Sequence, residues 1–157
     1  MRGLIHDETA VSMSVGFILT FTVTIICMSV LIGSFFTMLN RAEQTAIRDE
    51  FEIHGNEIAL QIANMDTMVH IMQTSGGQSR FIVYKLIMPD KIADKQYSVE
   101  ISNQTSEIIF ESEGRYKTRV KVHYVALNTN VASGIVYSSS DNFRLCYDGE
   151  SNIIRID

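Results

Sequence analysis

The sequence predicts an α+β protein in which one long N-terminal helix, first transmembrane and then amphipathic, packs on a C-terminal antiparallel β-sheet. Three observations predict this class. Residues 9–40 carry no charged side chain. Residues 47–72 place apolar side chains at spacings of three, four and seven, which is the period of a helix. Beyond residue 80 the apolar period changes to two, as expected for strands with one wet face.

The size and charge of the chain limit its function. Its 157 residues suffice for one ordinary domain. The formal net charge of −5 argues against a nucleic-acid partner, because binding to phosphates needs a basic face. Cys27 lies inside the uncharged run and Cys146 near the C-terminus, so the two do not pair in one chain if the run spans a membrane. We therefore expect no disulfide framework.

The segment 10–39, which follows a short leader at 1–9, is predicted to be a transmembrane helix with the lipid bilayer as its partner. About 20 helical residues cross a hydrocarbon core of about 30 Å, so the segment is long enough to span with tilt or projection. A removable signal peptide is less well matched, since its apolar region has about 7–15 residues and ends at a small-residue cleavage site. Lys and Arg are nearly balanced between the two flanks and do not decide the orientation.

Small side chains along this helix have two readings, and both stay open. The small or hydroxylated residues are Ser12, Ser14, Gly16, Thr20, Thr22, Thr24, Ser29, Gly33 and Ser34. In lipid, small residues let neighbouring helices approach closely. Alternatively, the hydroxyl groups simply bond back to their own helix.

Residues 40–75 continue the same helix as an amphipathic segment, because no proline or cap interrupts the chain, and one helix is predicted over roughly 10–74. The expected buried stripe consists of Ile47, Phe51, Ile58, Ile62, Met65, Val69 and Met72. His54 falls on the stripe and is expected to be partly buried with one satisfied nitrogen. Gly55 is a weak point of the helix. The acids Glu50, Glu57 and Asp66 are assigned to a solvated face. Gly76 and Gly77 are suited to end the helix.

Residues 80–157 are predicted to form an antiparallel β domain of six or seven short strands. The expected strands are 81–88, 97–102, 107–113, 116–124, 134–138, 143–148 and 152–156, separated by turn residues that include Asn128–Asn130 and Asp141–Asn142. The strand at 116–124 alternates most clearly, with Tyr116 and Val120 on its apolar face. The strand at 81–88 is apolar throughout, which favours a central position in the sheet. The apolar face of the sheet and the helical stripe are expected to cover each other.

No motif in the sequence indicates an enzyme, a cofactor or a metal site. A phosphate loop, a dinucleotide fingerprint and a zinc spacing are all missing from it. The histidines are His6, His54, His70 and His123, which fall far apart in different predicted elements. One local signal has chemical content: Asn103-Gln104-Thr105 is an N-glycosylation sequon in a predicted turn, and it is meaningful only if this part lies outside the cell.

The N-terminal segment resembles archaeal type IV pilins and pilin-like proteins. Many of these read an acidic residue, then A-V-S-x-x-x-G and an uncharged helix; here the matching residues are Asp7, Ala10, Val11, Ser12 and Gly16. The later chain resembles uncharacterised archaeal pilin-like membrane proteins at Arg48–Phe51, Pro89, Ile92–Asp94 and Tyr97–Val99. The resemblance implies a lipid-embedded helical stem, with Gly33 also on its helix, and an extracytoplasmic β domain.

The resemblance also implies processing by a prepilin peptidase, with two alternative cleavage sites. Such a peptidase prefers a basic residue followed by Gly or Ala before the cut. A cut between Gly3 and Leu4 satisfies that pair and places Glu8 fifth in the mature chain. A cut between Ala10 and Val11 matches the A-V-S motif but has Thr9 where a basic residue is expected.

The leading functional hypothesis is a single-pass, pilin-like surface protein of the cell membrane. Its partners are then the bilayer, other pilin-like subunits and a prepilin peptidase, and it is a minor subunit of a filament or an envelope component. The alternative is a bitopic protein whose extracytoplasmic β domain is a binding module that never polymerises. A membrane-tethered enzyme is the third and least supported reading.

Overall fold

The computed structural model describes residues 4–77, 80–114, 117–140 and 143–157, with side chains from Met13 onward. One helix, α1, is followed by eight strands within these residues. The elements are α1 (Leu4–Thr74), β1 (Phe81–Lys85), β2 (Tyr97–Ser102), β3 (Glu107–Ser112), β4 (Arg119–His123), β5 (Asn130–Val131), β6 (Gly134–Tyr137), β7 (Arg144–Asp148) and β8 (Ile153–Ile156). The chain divides into two compact units, Met1–Ala42 and Glu43–Asp157, called here the N-terminal and C-terminal units.

The predicted α+β class is confirmed, with one long N-terminal helix packed against an antiparallel-rich β domain. The helix is uninterrupted through the predicted junction near residue 40. It ends in a Schellman motif, as the glycine pair predicted. The amide of Gly77 donates to the carbonyl of Met72 at 2.9 Å, and that of Gly76 to Gln73 at 3.2 Å. Gly76 has φ +77°, a left-handed conformation that glycine adopts without steric cost.

The β domain contains two four-stranded sheets in the described residues, where one sheet was predicted. One sheet has the order β1-β7-β8-β5 and the other β4-β3-β2-β6. All pairs are antiparallel except β5 with β8, which is parallel. The registers run from Phe81↔Asp148 to Lys85↔Arg144 for β1–β7, and from Tyr97↔Ser112 to Ser102↔Glu107 for β2–β3.

Two details of the strand prediction need correction. β1 is an edge strand and not a central one, and its Phe81 and Val83 are exposed. β5 was not predicted, and its Asn130 was assigned to a turn, because two residues are too few to show a period. Tyr116 and the turn Asp141–Asn142 lie outside the described residues. The remaining strands agree with their predicted positions to within one to three residues.

The C-terminal unit buries one apolar core to which the helix and both sheets contribute. Six of the seven predicted stripe residues are buried, and Met72 is half-buried. An aromatic cluster lies in this core: the ring of Phe51 on α1 is 5.5 Å from that of Tyr97 and 5.2 Å from that of Phe110. Tyr97 also stacks on Phe143 at 6.5 Å. The second half of α1 is therefore a structural part of the β domain.

Candidate functional site

The N-terminal unit presents an apolar surface over residues 13–39, called here the anchor surface. Every side chain described from Met13 to Ala42 is exposed. The large apolar residues include Phe17, Leu19, Phe21, Ile26, Leu31, Phe35 and Met38. Phe17 is 74% exposed and Met38 73%. An apolar surface of this extent marks a site that contacts lipid or protein, since soluble monomers rarely expose one.

Five hydroxyl groups within the anchor surface bond back to the helix itself. The hydroxyls of Thr20, Thr22, Thr24, Ser29 and Thr37 each donate to the carbonyl four residues earlier, at 2.8–3.0 Å. In a hydrocarbon environment an unsatisfied polar group is costly, so these bonds make the helix compatible with lipid. Of the two readings of the small residues, these bonds agree with hydroxyls that bond back to their own helix.

The two glycines of the anchor surface do not share one face. Gly16 and Gly33 both have open space where a side chain would stand. At 3.6 residues per turn they lie about 100° apart around the helix axis. A second helix is therefore not expected to approach closely at both glycines at once. Helix–helix packing at either glycine stays a prediction.

The residues of the two alternative cleavage sites lie at or near the beginning of α1. Gly3 lies outside the described residues, and Leu4 is the first residue of the helix. Ala10, Val11 and Ser12 lie within α1, so the bond between Ala10 and Val11 is inside a helix. Their side chains are outside the described set, and both cleavage sites stay predictions.

Asp66 on α1 binds the loop that connects β4 with β5, and it is only 5% exposed. Its Oδ1 accepts from the amides of Asn128 and Thr129 at 2.9 and 2.8 Å and from Thr129 Oγ1 at 2.8 Å. Its Oδ2 accepts from the Leu127 amide at 3.1 Å and from Asn128 Nδ2 at 2.9 Å. The prediction that Asp66 lies on a solvated face is wrong, because five donors replace the water around this carboxylate.

The ionised form of Asp66 is favoured by this loop. Burial alone raises the pKa of Asp66, but the hydrogen bonds from Leu127, Thr129 and Asn128 outweigh it and hold the pKa below its ordinary value of 3.8. A carboxylate that accepts several backbone amides is a strong charge-assisted clamp. Asp66 thus holds residues 127–129 against the helix.

His54 lies half-buried between two carboxylates of its own helix. Its Nε2 is 3.6 Å from Glu50 Oε2, and its Nδ1 is 3.6 Å from Glu57 Oε2. Nδ1 is buried without a hydrogen-bond partner in the part of the chain that the structure describes. The predicted partial burial of His54 is confirmed, and of its two ring nitrogens only Nε2 can be the predicted satisfied one. In the same part of the chain, no three His, Cys, Asp or Glu side chains form a group that could hold a metal ion.

Gly55 lets α1 approach the sheet closely. A Cβ added at Gly55 would lie 2.6 Å from Cγ2 and 3.2 Å from Cβ of Val122 on β4. Because Val122 is β-branched and buried, it has little freedom to move aside. Glycine at this position therefore serves helix–sheet packing, which the sequence pattern alone did not reveal.

Replacing Gly55 by alanine is expected to destabilise the C-terminal unit by about 1–2 kcal/mol, because an overpacking cost of about 2–3 kcal/mol outweighs the gain of about 1 kcal/mol in helix propensity. Denaturant unfolding of the full chain in detergent measures this difference. Gly33→Ala is the control, since nothing lies within 4 Å of it. The double variant Gly55→Ala/Val122→Ala should lose less stability than the sum of the single changes. Unchanged stability of Gly55→Ala would contradict the packing argument.

The other side chains that could react, a serine and two cysteines, and the sequon residues have the following surroundings. The Ser138 hydroxyl is buried and accepts the amide of Tyr97 at 3.1 Å. Cys146 is buried, and burial is the main cause that raises the pKa of its thiol, which disfavours the nucleophilic thiolate at neutral pH. Cys27 and Cys146 are both free. The sequon residues Asn103 and Thr105 lie in the exposed turn between β2 and β3.

The long apolar helix fits a membrane-anchored protein. Among the described residues, it is the one helix that is long and apolar enough to cross a membrane, and it lies near the N-terminus, as in a single-pass protein. The chain belongs to a family of unknown function, DUF7266, which it matches over residues 6–156. No curated protein and no solved structure matches the chain.

Proposed function

We propose that this chain is a pilin-like surface protein whose anchor surface lies in the cell membrane and whose C-terminal unit lies outside the cytoplasm. The observation that carries the proposal is the continuity of α1 from Leu4 to Thr74. Residues 13–39 of this helix expose apolar side chains, and residues 47–69 supply the buried stripe on which the β domain packs. The A-V-S-x-x-x-G pattern from Ala10 to Gly16 supports the pilin-like assignment.

In the proposed mechanism, the anchor surface moves from the lipid bilayer to an assembly in which similar helices cover it. In the membrane, lipid covers residues 13–39, and the helix internally satisfies its backbone groups and five of its hydroxyl groups. In a filament or envelope assembly, similar helices replace the lipid, held by van der Waals packing. The protein then acts through burial and assembly and not through catalysis, as a minor subunit of a type IV pilus-like structure.

The N-terminus of the mature protein tests the pilin route. We expect the protein purified from its native membranes to begin at Leu4 or at Val11, which intact mass and N-terminal sequencing will distinguish. Gly3→Trp should block only a cut before Leu4, and Ala10→Trp only a cut before Val11, because the peptidase needs a small residue before the cut. Each variant is the matched control for the other.

Electron microscopy of surface filaments, labelled with an antibody against the C-terminal unit, tests assembly. The proposal is supported if labelled filaments are seen with the unmodified chain and disappear with the variant, Gly3→Trp or Ala10→Trp, that blocks processing. Chains that retain Met1 and never label a filament would contradict it. That result would favour the alternative, a bitopic protein with a binding module that does not polymerise.

A further inference from the structure

We propose that Asn103 carries an N-linked glycan and that the polar groove beside it receives the first sugars of that glycan. The inference rests on the proposed function, because transfer of the glycan requires the C-terminal unit to be outside the cytoplasm. Two observations carry it independently: the position and side-chain contacts of the sequon, and the chemistry of the groove.

The sequon Asn103-Gln104-Thr105 occupies a turn that a transferase can reach. β2 ends at Ser102 and β3 begins at Glu107, so the turn is confined to residues 103–106. All four of these residues are exposed. The turn is closed by Ser106 with φ +53°. A sequon that projects from a short hairpin can enter an active site without unfolding the sheet behind it.

The contacts of Asn103 leave its reactive atom available. The Ser133 hydroxyl donates to Asn103 Oδ1 at 2.8 Å and accepts from the Asn103 amide at 3.0 Å. Within the described residues, these bonds use the carbonyl oxygen of the side chain and not Nδ2. The asparagine is therefore held in position by Ser133, while Nδ2, the nitrogen that receives a sugar, has no hydrogen-bond partner in the described part of the chain.

A groove of about 520 Å³ lies beside the sequon, and Asn103 is part of its lining. Besides Asn103, the exposed polar residues of the lining are Ser106, Asn130 and Ser133. The Ser106 hydroxyl and the Asn130 amide can donate and accept, and the Ser133 hydroxyl, whose proton is donated to Asn103, can still accept. Among the residues that the structure describes, no carboxylate or ammonium group lines the groove. Sugar hydroxyls both donate and accept hydrogen bonds, so they can pair with these groups. The groove can thus receive a neutral carbohydrate without leaving a charged group unpaired.

The modification needs an oligosaccharide linked to a lipid through a phosphate or diphosphate. Nδ2 of Asn103 attacks the anomeric carbon of the first sugar, so that a carbon–nitrogen bond forms. The bond between that carbon and the phosphate oxygen breaks, and the lipid phosphate leaves with the electron pair. One Nδ2 proton passes to a base of the transferase. No group is oxidised or reduced.

Intact mass of the full chain, purified from its native membranes, tests the attachment. The unmodified sequence should show excess mass, and peptide mapping should place it on Asn103. Asn103→Gln and Thr105→Ala should both lose the excess mass, whereas Thr105→Ser should retain it because the sequon is preserved. Excess mass that persists in Asn103→Gln, or a bare Asn103 in the unmodified sequence, would overturn the proposal.

A topology measurement separates failure of this inference from failure of the proposed function. Asp94 has a side chain that is 94% exposed, so Asp94→Cys in a Cys27→Ala background reports the side of the membrane. Labelling of intact cells by an impermeant maleimide places the C-terminal unit outside. If intact cells are labelled and Asn103 carries no sugar, the glycan proposal alone is overturned. Labelling only after the membrane is opened overturns both proposals.

A second sequon sharpens this comparison. Gly149→Asn creates one with Glu150 and Ser151 in the turn between β7 and β8. Modification at position 149 together with a bare Asn103 would show that the cell can glycosylate this unit and leaves Asn103 unmodified, which overturns the inference.

Hydrogen exchange tests the groove. Backbone amides of residues 129–133 should exchange more slowly in the glycosylated chain than in Thr105→Ala, which lacks the glycan but keeps Asn103 and Ser133. Equal exchange rates in these two chains would show that the sugars do not occupy the groove.

Discussion

Asp66→Ala is expected to lower the free energy of unfolding by about 3 kcal/mol. The variant removes the acceptor for the amides of Leu127, Asn128 and Thr129 at once. Each buried donor left unsatisfied costs about 1–3 kcal/mol, and hydrogen bonds to a charged group contribute about 1.5–3 kcal/mol. Since the freed loop can recover part of its hydrogen bonding from water, the total corresponds to one or two such groups. Denaturant unfolding of the full chain in detergent measures the loss.

Asp66→Asn separates the charge from the shape of the side chain. The side-chain amide of asparagine keeps one acceptor oxygen, but its NH₂ group replaces the second carboxylate oxygen and faces the donors that this oxygen binds in the unmodified chain. The free energy of unfolding is therefore expected to fall by about 1–3 kcal/mol. Asp49→Asn makes the same chemical change at an exposed position of α1 and should alter stability by less than about 0.5 kcal/mol. Equal stability of Asp66→Asn and Asp49→Asn would show that the hydrogen bonds between the Asp66 carboxylate and residues 127–129 contribute nothing to the free energy of unfolding.

The same carboxylate gives the stability of the C-terminal unit a defined pH dependence. Because the pKa of Asp66 is lower in the folded state than its ordinary value of 3.8, its contribution is fully present above about pH 4. The contribution is lost as the pH falls through the lower folded-state value. The stability difference between the unmodified chain and Asp66→Asn should therefore be constant at neutral pH and shrink below pH 4. The pKa values of Glu107, Glu111 and Asp148 are also lowered. Because both chains contain these three residues, their contributions cancel in the stability difference.

Periodicity made the helix and most strands predictable. The apolar stripe of α1 appears in the sequence at helical spacing because each of its members faces the same core. β4 alternates exposed and buried residues because it has one wet face, and its Lys121 pairs with Glu107 of β3 at 2.8 Å on that face. The end of α1 was predictable because the Gly76-Gly77 pair has a specific backbone role.

Periodicity does not report which elements become neighbours, and this explains what the sequence analysis missed. An apolar run such as β1 is compatible with a central strand or with an edge strand that exposes apolar side chains, and the latter is found. The division into two sheets depends on strand pairing and not on the pattern within any strand. Asp66 was assigned to solvent because its five donors come from residues more than sixty positions away. Gly55 is explained only by the position of Val122.

Removing residues 1–40 is expected to convert a protein of the membrane pellet into one that stays in the supernatant without detergent. In the middle of a spanning helix, each Leu, Ile, Phe or Val contributes about −0.3 to −0.6 kcal/mol to insertion, and the deletion removes all such residues of the anchor surface. The shortened chain begins immediately before the C-terminal unit at Glu43 and keeps its whole core. Fractionation at high salt measures the shift, and cooperative unfolding shows that the unit is folded.

Two point variants of the full chain test the same claim without a deletion. Ile25→Lys/Ile26→Lys places two charges near the centre of the anchor surface, each costing about 2.5–3.5 kcal/mol, and should move much of the chain out of the pellet. Ile53→Lys is the matched control, because Ile53 is a 61% exposed apolar residue of the same helix within the C-terminal unit. This control should stay in the pellet. If the shortened chain also pelleted, the exposed Ile53, Leu60 and Ile71 of the C-terminal unit would bind the membrane, and the anchor surface would not be the anchor.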